Sequence, residues 1–126
     1  MNVPQNLKFT ADHEWVRAEG NRAWIGITDY AQDALGDVVF VQLPQVGTNA
    51  AVSESIGEVE STKSVSDIYA PISGPVVEVN GDLERSPELL NQDPYGSGWI
   101  CCIEITDPAQ VEGLMDAEAY SGLIGE

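Results

Sequence analysis

Apolar and polar residues alternate in short runs broken by Gly, Pro, Asn and Asp, which is the pattern of a strand-rich chain. Glu14 to Ala18 and Ala23 to Ile27 flank Glu19-Gly20-Asn21 and predict a hairpin. Thr28-Asp29 then offers an N-cap, Tyr30 to Leu35 a short helix near 29–35, and Gly36 a C-terminal stop. Asp37 to Leu43 is the clearest strand and is ended by Pro44. Ser55 to Glu60 and Val65 to Tyr69 are two further strands, separated by Ser61-Thr62-Lys63-Ser64. Pro75 to Val79 and Trp99 to Ile105 complete the β part. Asp107-Pro108 opens a helical C-terminal segment over about 107–124. There Asp caps, Pro takes the first helical position, and Gln110 stands where a capping box needs it. Val111, Leu114 and Met115 form one apolar stripe, and Gly113 and Asp116 divide the segment into two short helices.

One internal echo bears on architecture. Gly36-Asp-Val-Val-Phe-Val recurs 38 residues later as Gly74-Pro-Val-Val-Glu-Val, with Lys63 between the copies. A doubled β unit around a central hairpin follows.

With 126 residues and 43% hydrophobic content, the chain suits one domain with a real core. No run approaches the roughly 20 apolar residues that a membrane helix needs. The opening Met1-Asn2-Val3-Pro4 resembles neither a secretory signal nor a transit peptide. A cytoplasmic protein is expected, or the matured form of an organelle protein. The 21 acidic residues against 5 basic ones give a net charge of −16, which argues against nucleic acid and favours partners with basic patches. Cys101 and Cys102 are neighbours on a strand and point to opposite faces, so one thiol is expected in the core and one near the surface. With no further Cys and one His, no thiol-rich metal site is expected.

Only two lysines are present, Lys8 and Lys63. Lys63 lies in Glu58-Val-Glu-Ser-Thr-Lys-Ser-Val-Ser-Asp67, at the predicted hairpin tip. An enzyme that modifies a lysine needs an exposed amine on a stiff element, because a mobile tail would cost ordering entropy on docking. Placement alone leaves an ordinary solvated turn lysine as the other reading.

Four stretches carry a resemblance: Asp12-His-Glu-Trp-Val16, Gly26 through Val41, Val59 through Gly74, and Pro87 through Trp99. In this order and spacing the chain resembles the glycine cleavage H-protein family, nearly end to end. The resemblance implies a mainly β fold, a barrel-sandwich hybrid of the biotinyl/lipoyl-carrier type, with its hairpin core over about 22–104. It implies lipoate in amide linkage to Lys63, on an arm reaching ~12–14 Å. The expected partners are glycine decarboxylase, aminomethyltransferase and dihydrolipoyl dehydrogenase, with a lipoyl or octanoyl ligase or transferase to attach the group. The decarboxylase loads an aminomethyl group, the transferase passes its carbon on, and the dehydrogenase reoxidises the dithiol. The carrier would be a monomer with no catalytic residue of its own.

A loaded arm has a reactive S–C–N carbon, so shelter from water in a cleft would slow its hydrolysis. Its cationic amine would want carboxylates there, and Glu14 and Asp67 are the candidates, with His13 beside Glu14 to orient it. A solvated acid is the competing reading for either carboxylate. Thr62 and Ser64 stand where the family often has Val and Ala, and both are small enough for a ligase pocket. Lysines in the carrier domains of other complexes typically sit in Asp-Lys-Ala or Met-Lys-Met, unlike Thr62-Lys63-Ser64. A relay passing lipoate or octanoate to other proteins remains an alternative. A hydrolase using Glu54, Glu58 and Glu60 lacks any sign of a pocket or a raised carboxyl pKa.

Overall fold

The computed structural model describes residues 1–125. In chain order the strands are β1 Lys8–Phe9, β2 Glu14–Glu19, β3 Arg22–Ile27, β4 Val38–Gln42, β5 Asn49–Ala50, β6 Ser55–Ser61, β7 Val65–Tyr69, β8 Gly74–Val79 and β9 Cys101–Glu104. The helices are α1 Asp29–Leu35, α2 Asp82–Arg85, α3 Leu89–Gln92, α4 Pro108–Glu112 and α5 Ala117–Leu123. A six-stranded sheet runs β1-β2-β3-β9-β8-β5 and a three-stranded sheet runs β4-β6-β7. Every pairing is antiparallel.

Alternation along β2 explains how both faces of the large sheet are covered. Val16 joins a buried cluster that also takes Ile25 and Ile103 from the large sheet and Val41, Val59 and Ile68 from the small one. This is the expected barrel-sandwich, two sheets closed over one apolar interior. Trp15 points the other way, into a second cluster with Phe9, Ala117 and Tyr120, so α5 roofs the outer face. Trp15 and Gly26 are direct cross-strand partners, and the buried indole lies over the bare Cα. A Cβ on Gly26 would stand 2.6 Å from three atoms of that ring. Gly26→Ala is therefore expected to destabilise the fold by about 1–3 kcal/mol through overpacking. A urea midpoint equal to wild type would show that the ring has room to retreat.

The sequence echo has a structural counterpart. β4 and β8 lie in different sheets, and each follows or begins at a glycine with positive φ, 82° at Gly36 and 151° at Gly74. Each carries a register shift at the matching place, Val38/Phe40 in β4 and Val76/Glu78 in β8. Extra residues at equivalent points bend the two strands alike.

The structure departs from the sequence reading in four places. Four elements were not anticipated, the two-residue strands β1 and β5 and the single-turn helices α2 and α3. Such short pieces show no periodicity, yet α2 and α3 each set a fully buried leucine, Leu83 and Leu90, into the main cluster. Gln110 does not close a capping box: its Oε1 accepts from Ser73 N–H at 2.8 Å, while Asp107 alone caps α4. The apolar stripe is split, since Val111 and Leu114 pack on the main cluster and Met115 on the second. Cys102 is not near the surface, for both thiols have no exposed area. Trp24 and Glu78 lie on either side of Cys102 across the strands, and Arg22 bridges to Glu78 at 2.9 Å. Among the described residues no helix is long and apolar enough to cross a membrane.

Candidate functional site

Lys63 is the middle residue of the three-residue turn that joins β6 to β7. The turn is fixed by its own sequence. Ser61 N–H donates to Ser64 C=O at 2.8 Å, and Ser61 Oγ accepts from the amides of both Lys63 and Ser64 at 3.1 Å. Thr62 N–H is tied to Asp37 C=O at 3.0 Å. Ser61, only 7% exposed, is thus the staple of the tip, a role that sequence reading did not assign. Lys63 itself is exposed and forms no ion pair among the described residues. Its stem passes over Gly36, where a Cβ would come within 2.9 Å of Lys63 Cε. Asn91 supports that loop from α3, donating to Gly36 C=O and accepting from Val38 N–H.

A cavity of about 320 Å³ begins at Ser64, next to the lysine, and ends at Glu14, His13 and Asp12. Its volume lies at the low end of small-molecule sites. One wall is α1, through Ala31, Ala34 and Leu35, and the floor is Ile27, Val59 and Ile68. Five consecutive residues from Ser64 to Ile68 line the opposite side, as expected when the free edge of β7 forms the wall. A channel with an apolar floor and one apolar wall, closed by carboxyl and imidazole groups at its far end, suits a hydrocarbon arm with a charged tip.

Glu14, only 2% exposed, closes the far end. Oε1 accepts from Thr10 Oγ1 at 2.7 Å and Oε2 from Tyr69 N–H at 3.1 Å. Burial drives its pKa from 4.5 to about 7, a rise that Asp12 adds to and those two hydrogen bonds oppose. The site therefore holds a carboxyl that is poised between its two states near neutrality and that an incoming cation would ionise.

His13 lines the same cavity but does not orient Glu14. Its φ of 68° turns the side chain toward Tyr120, whose hydroxyl lies 2.8 Å from His13 Nδ1. The same hydroxyl lies 2.7 Å from Thr28 Oγ1, which in turn caps α1 by accepting from Ala31 N–H. The imidazole packs against Tyr30 with ring centres 4.7 Å apart and the planes tilted by 33°. Burial lowers its pKa and so favours the neutral ring, and the neighbouring Asp12 carboxylate partly offsets that shift. Asp67 enters the cavity wall as part of the β7 edge, while its carboxylate accepts from Ser55 Oγ at 3.0 Å. Glu14 and His13 thus meet at the end of the cavity, and the Asp67 carboxylate is engaged elsewhere.

Tyr120 sits 57 residues beyond Lys63, and nothing in the sequence pattern brings them together. Its one hydroxyl ties α5, α1 and His13. Tyr120→Phe leaves two partners short of a bond and is expected to cost about 1–2 kcal/mol. An unaltered denaturation midpoint would show that the link contributes nothing.

The family model described as "Glycine cleavage H-protein" matches residues 7–126. A "Glycine cleavage system H protein" from Symbiobacterium thermophilum is 57% identical over 125 residues, covering 99% of this chain and 98% of that protein. One of the same description from Mycobacterium avium is 57% identical over 130 residues, with the same coverage of each. The crystal structure of a glycine cleavage system H protein from Mycobacterium marinum superimposes with a TM-score of 0.91 at 44% identity. That match covers 98% of this chain and all of the other.

Proposed function

This chain belongs to the glycine cleavage H-protein family, and from that premise we propose that Lys63 is the residue through which it acts as the lipoyl carrier of the glycine cleavage system. The observation that supports this most is an exposed amine on a hydrogen-bonded hairpin tip, one residue from the mouth of a cavity. Covalently bound lipoate would supply what the side chains do not, a dithiolane that accepts a one-carbon unit and cycles between dithiol and disulfide. The residues fit such a group. Ala31, Ala34 and Leu35 give its methylenes an apolar wall, and Ala31 and Ala34 leave room for width.

In this reading the protein's own side chains shelter the aminomethyl cargo and catalyse no step. Glu14 faces the cationic end of the cargo and His13 packs beside it. Asp67 contributes through the backbone edge of β7. The arm serves glycine decarboxylase, then aminomethyltransferase, then dihydrolipoyl dehydrogenase, and a lipoyl or octanoyl ligase or transferase installs it. Two buried, unpaired thiols suit a reducing compartment, and bacterial relatives suit the cytoplasm. One chain-long domain is consistent with a main cluster drawn from both sheets and from α2 and α3.

The test is intact mass after incubation with a lipoate–protein ligase, lipoate and ATP, followed by glycine-dependent release of carbon dioxide with the three purified partner enzymes. A lipoyl-sized increment on Lys63 and restored turnover are expected. No increment, or an increment on Lys8, would overturn the assignment.

A further inference from the structure

The register of the three-stranded sheet defines a small surface beside the tip. Phe40, Glu60 and Val65 are direct partners across β4, β6 and β7, and so are Gln42, Glu58 and Asp67 one step further down. Direct partners share a face, and all six of these side chains are exposed. The intervening Val41 and Val59 point inward to the core. Phe40 is 55% and Val65 58% exposed, so two of the largest apolar exposures in the protein flank one strand, about 10 Å apart. Three carboxylates stand among the six, and none of the six is a cation. Scattered exposed apolar residues need no explanation, but here they are aligned on a stiff sheet next to the reactive amine.

We propose that this outer face docks the enzyme that acylates Lys63, through an apolar socket for Phe40 and Val65 rimmed by Arg or Lys. The proposal rests on the assignment of Lys63 above. Reach selects this occupant among the enzymes that meet the protein. In the acylation, the Lys63 amine attacks the carbonyl carbon of an acyl adenylate. The C–N bond forms, the bond from that carbon to the phosphate oxygen breaks, AMP leaves and the amine gives up a proton. That carbon must be brought to Nζ itself, about 6 Å from the backbone of the tip. The enzyme is therefore forced against the residues that immediately adjoin the turn. Enzymes acting on the finished arm work ~12–14 Å away and need not press on this face. Charge complementarity supplies the rim: an acidic face on a chain of net charge −16 steers a basic surface.

The experiment follows lipoyl mass gain on the full chain with a purified lipoate–protein ligase, lipoate and ATP, at acceptor concentrations spanning KM. The Phe40→Thr/Val65→Thr variant keeps strand-favouring residues and removes the apolar anchors, and its melting temperature should equal wild type. Its kcat/KM is expected to fall at least tenfold, carried by KM, with kcat nearly kept. Glu58→Gln should raise KM at low salt and flatten its rise with sodium chloride. Val52→Thr is the control, since Val52 is 44% exposed in the turn before β6, beyond the strand end that lies about 20 Å from the Lys63 turn. Equal rates for Phe40→Thr/Val65→Thr and wild type would overturn the docking face, as would equal slowing by Val52→Thr. Failure of wild type to gain the mass would instead overturn the assignment of Lys63.

Discussion

Lys63→Arg is expected to abolish lipoyl attachment and glycine-dependent turnover completely while leaving the melting temperature within about 1 °C of wild type. Arginine keeps the positive charge and most of the length of lysine, but its guanidinium is permanently protonated and is not an acylation target. The hydrogen bonds that hold the tip come from backbone amides and from Ser61, so the substitution disturbs none of them. The side chain is exposed and has no ion pair among the described residues, so no core contact is lost. Intact mass and a thermal melt on the same preparation check both halves. A variant that still gains the lipoyl increment would place attachment elsewhere, and one that melts several degrees lower would mean that the lysine bears on the fold.

Much of this arrangement is legible along the chain because it rests on local chemistry. The hairpins, the Thr28 cap on α1 and the Asp107 cap on α4 each depend on residues a few positions apart, and each stands where the pattern puts it. Lys63, the proposed attachment point, is marked by its setting between two apolar-alternating strands. What the pattern hides is long-range. Tyr120 reaches Thr28 and His13 across 92 and 107 residues, and α2 and α3 exist because Leu83 and Leu90 plug the interior, not because four residues favour a helix. Asp67 shows a further limit. Its alternation with buried Ile68 is clear, but whether the carboxylate or the strand edge meets the cavity depends on which edge of the sheet is free. Cys102 misleads similarly, because a sheet face opposite the core can still be covered by Trp24 and an arginine–glutamate pair.

Glu14→Gln is expected to leave lipoyl attachment unchanged, to shorten the lifetime of the loaded carrier markedly, and to remove one component of the pH dependence of stability. The carboxyl titrates at 4.5 in an ordinary setting and at about 7 in the fold, where burial disfavours its charge. Below pH 4.5 it is protonated in both states and has no effect on the balance. Between 4.5 and about 7 the folded protein keeps the proton that the unfolded chain gives up, so this group's contribution declines as pH rises. Above about 7 the decline is complete, at about 3 kcal/mol for a shift of this size. Glutamine has no such titration, and it can still accept from Tyr69 N–H while its amide donates to Thr10 Oγ1. The stability difference, wild type minus Gln, should therefore fall by about 3 kcal/mol from pH 4.5 to 8 in paired urea denaturations, where the other carboxyls cancel. The destabilisation has a use. A carboxylate that the empty protein holds at a cost is stabilised when a cation enters the cavity, so part of the binding energy for the cargo is stored in the resting state. The lifetime of the loaded carrier should then lengthen as pH rises toward 7 in wild type and stay flat in Glu14→Gln. Equal lifetimes for the two proteins at pH 7.5 would remove Glu14 from the role of cation partner, and a flat stability difference would mean that its carboxyl is already ionised in the folded state.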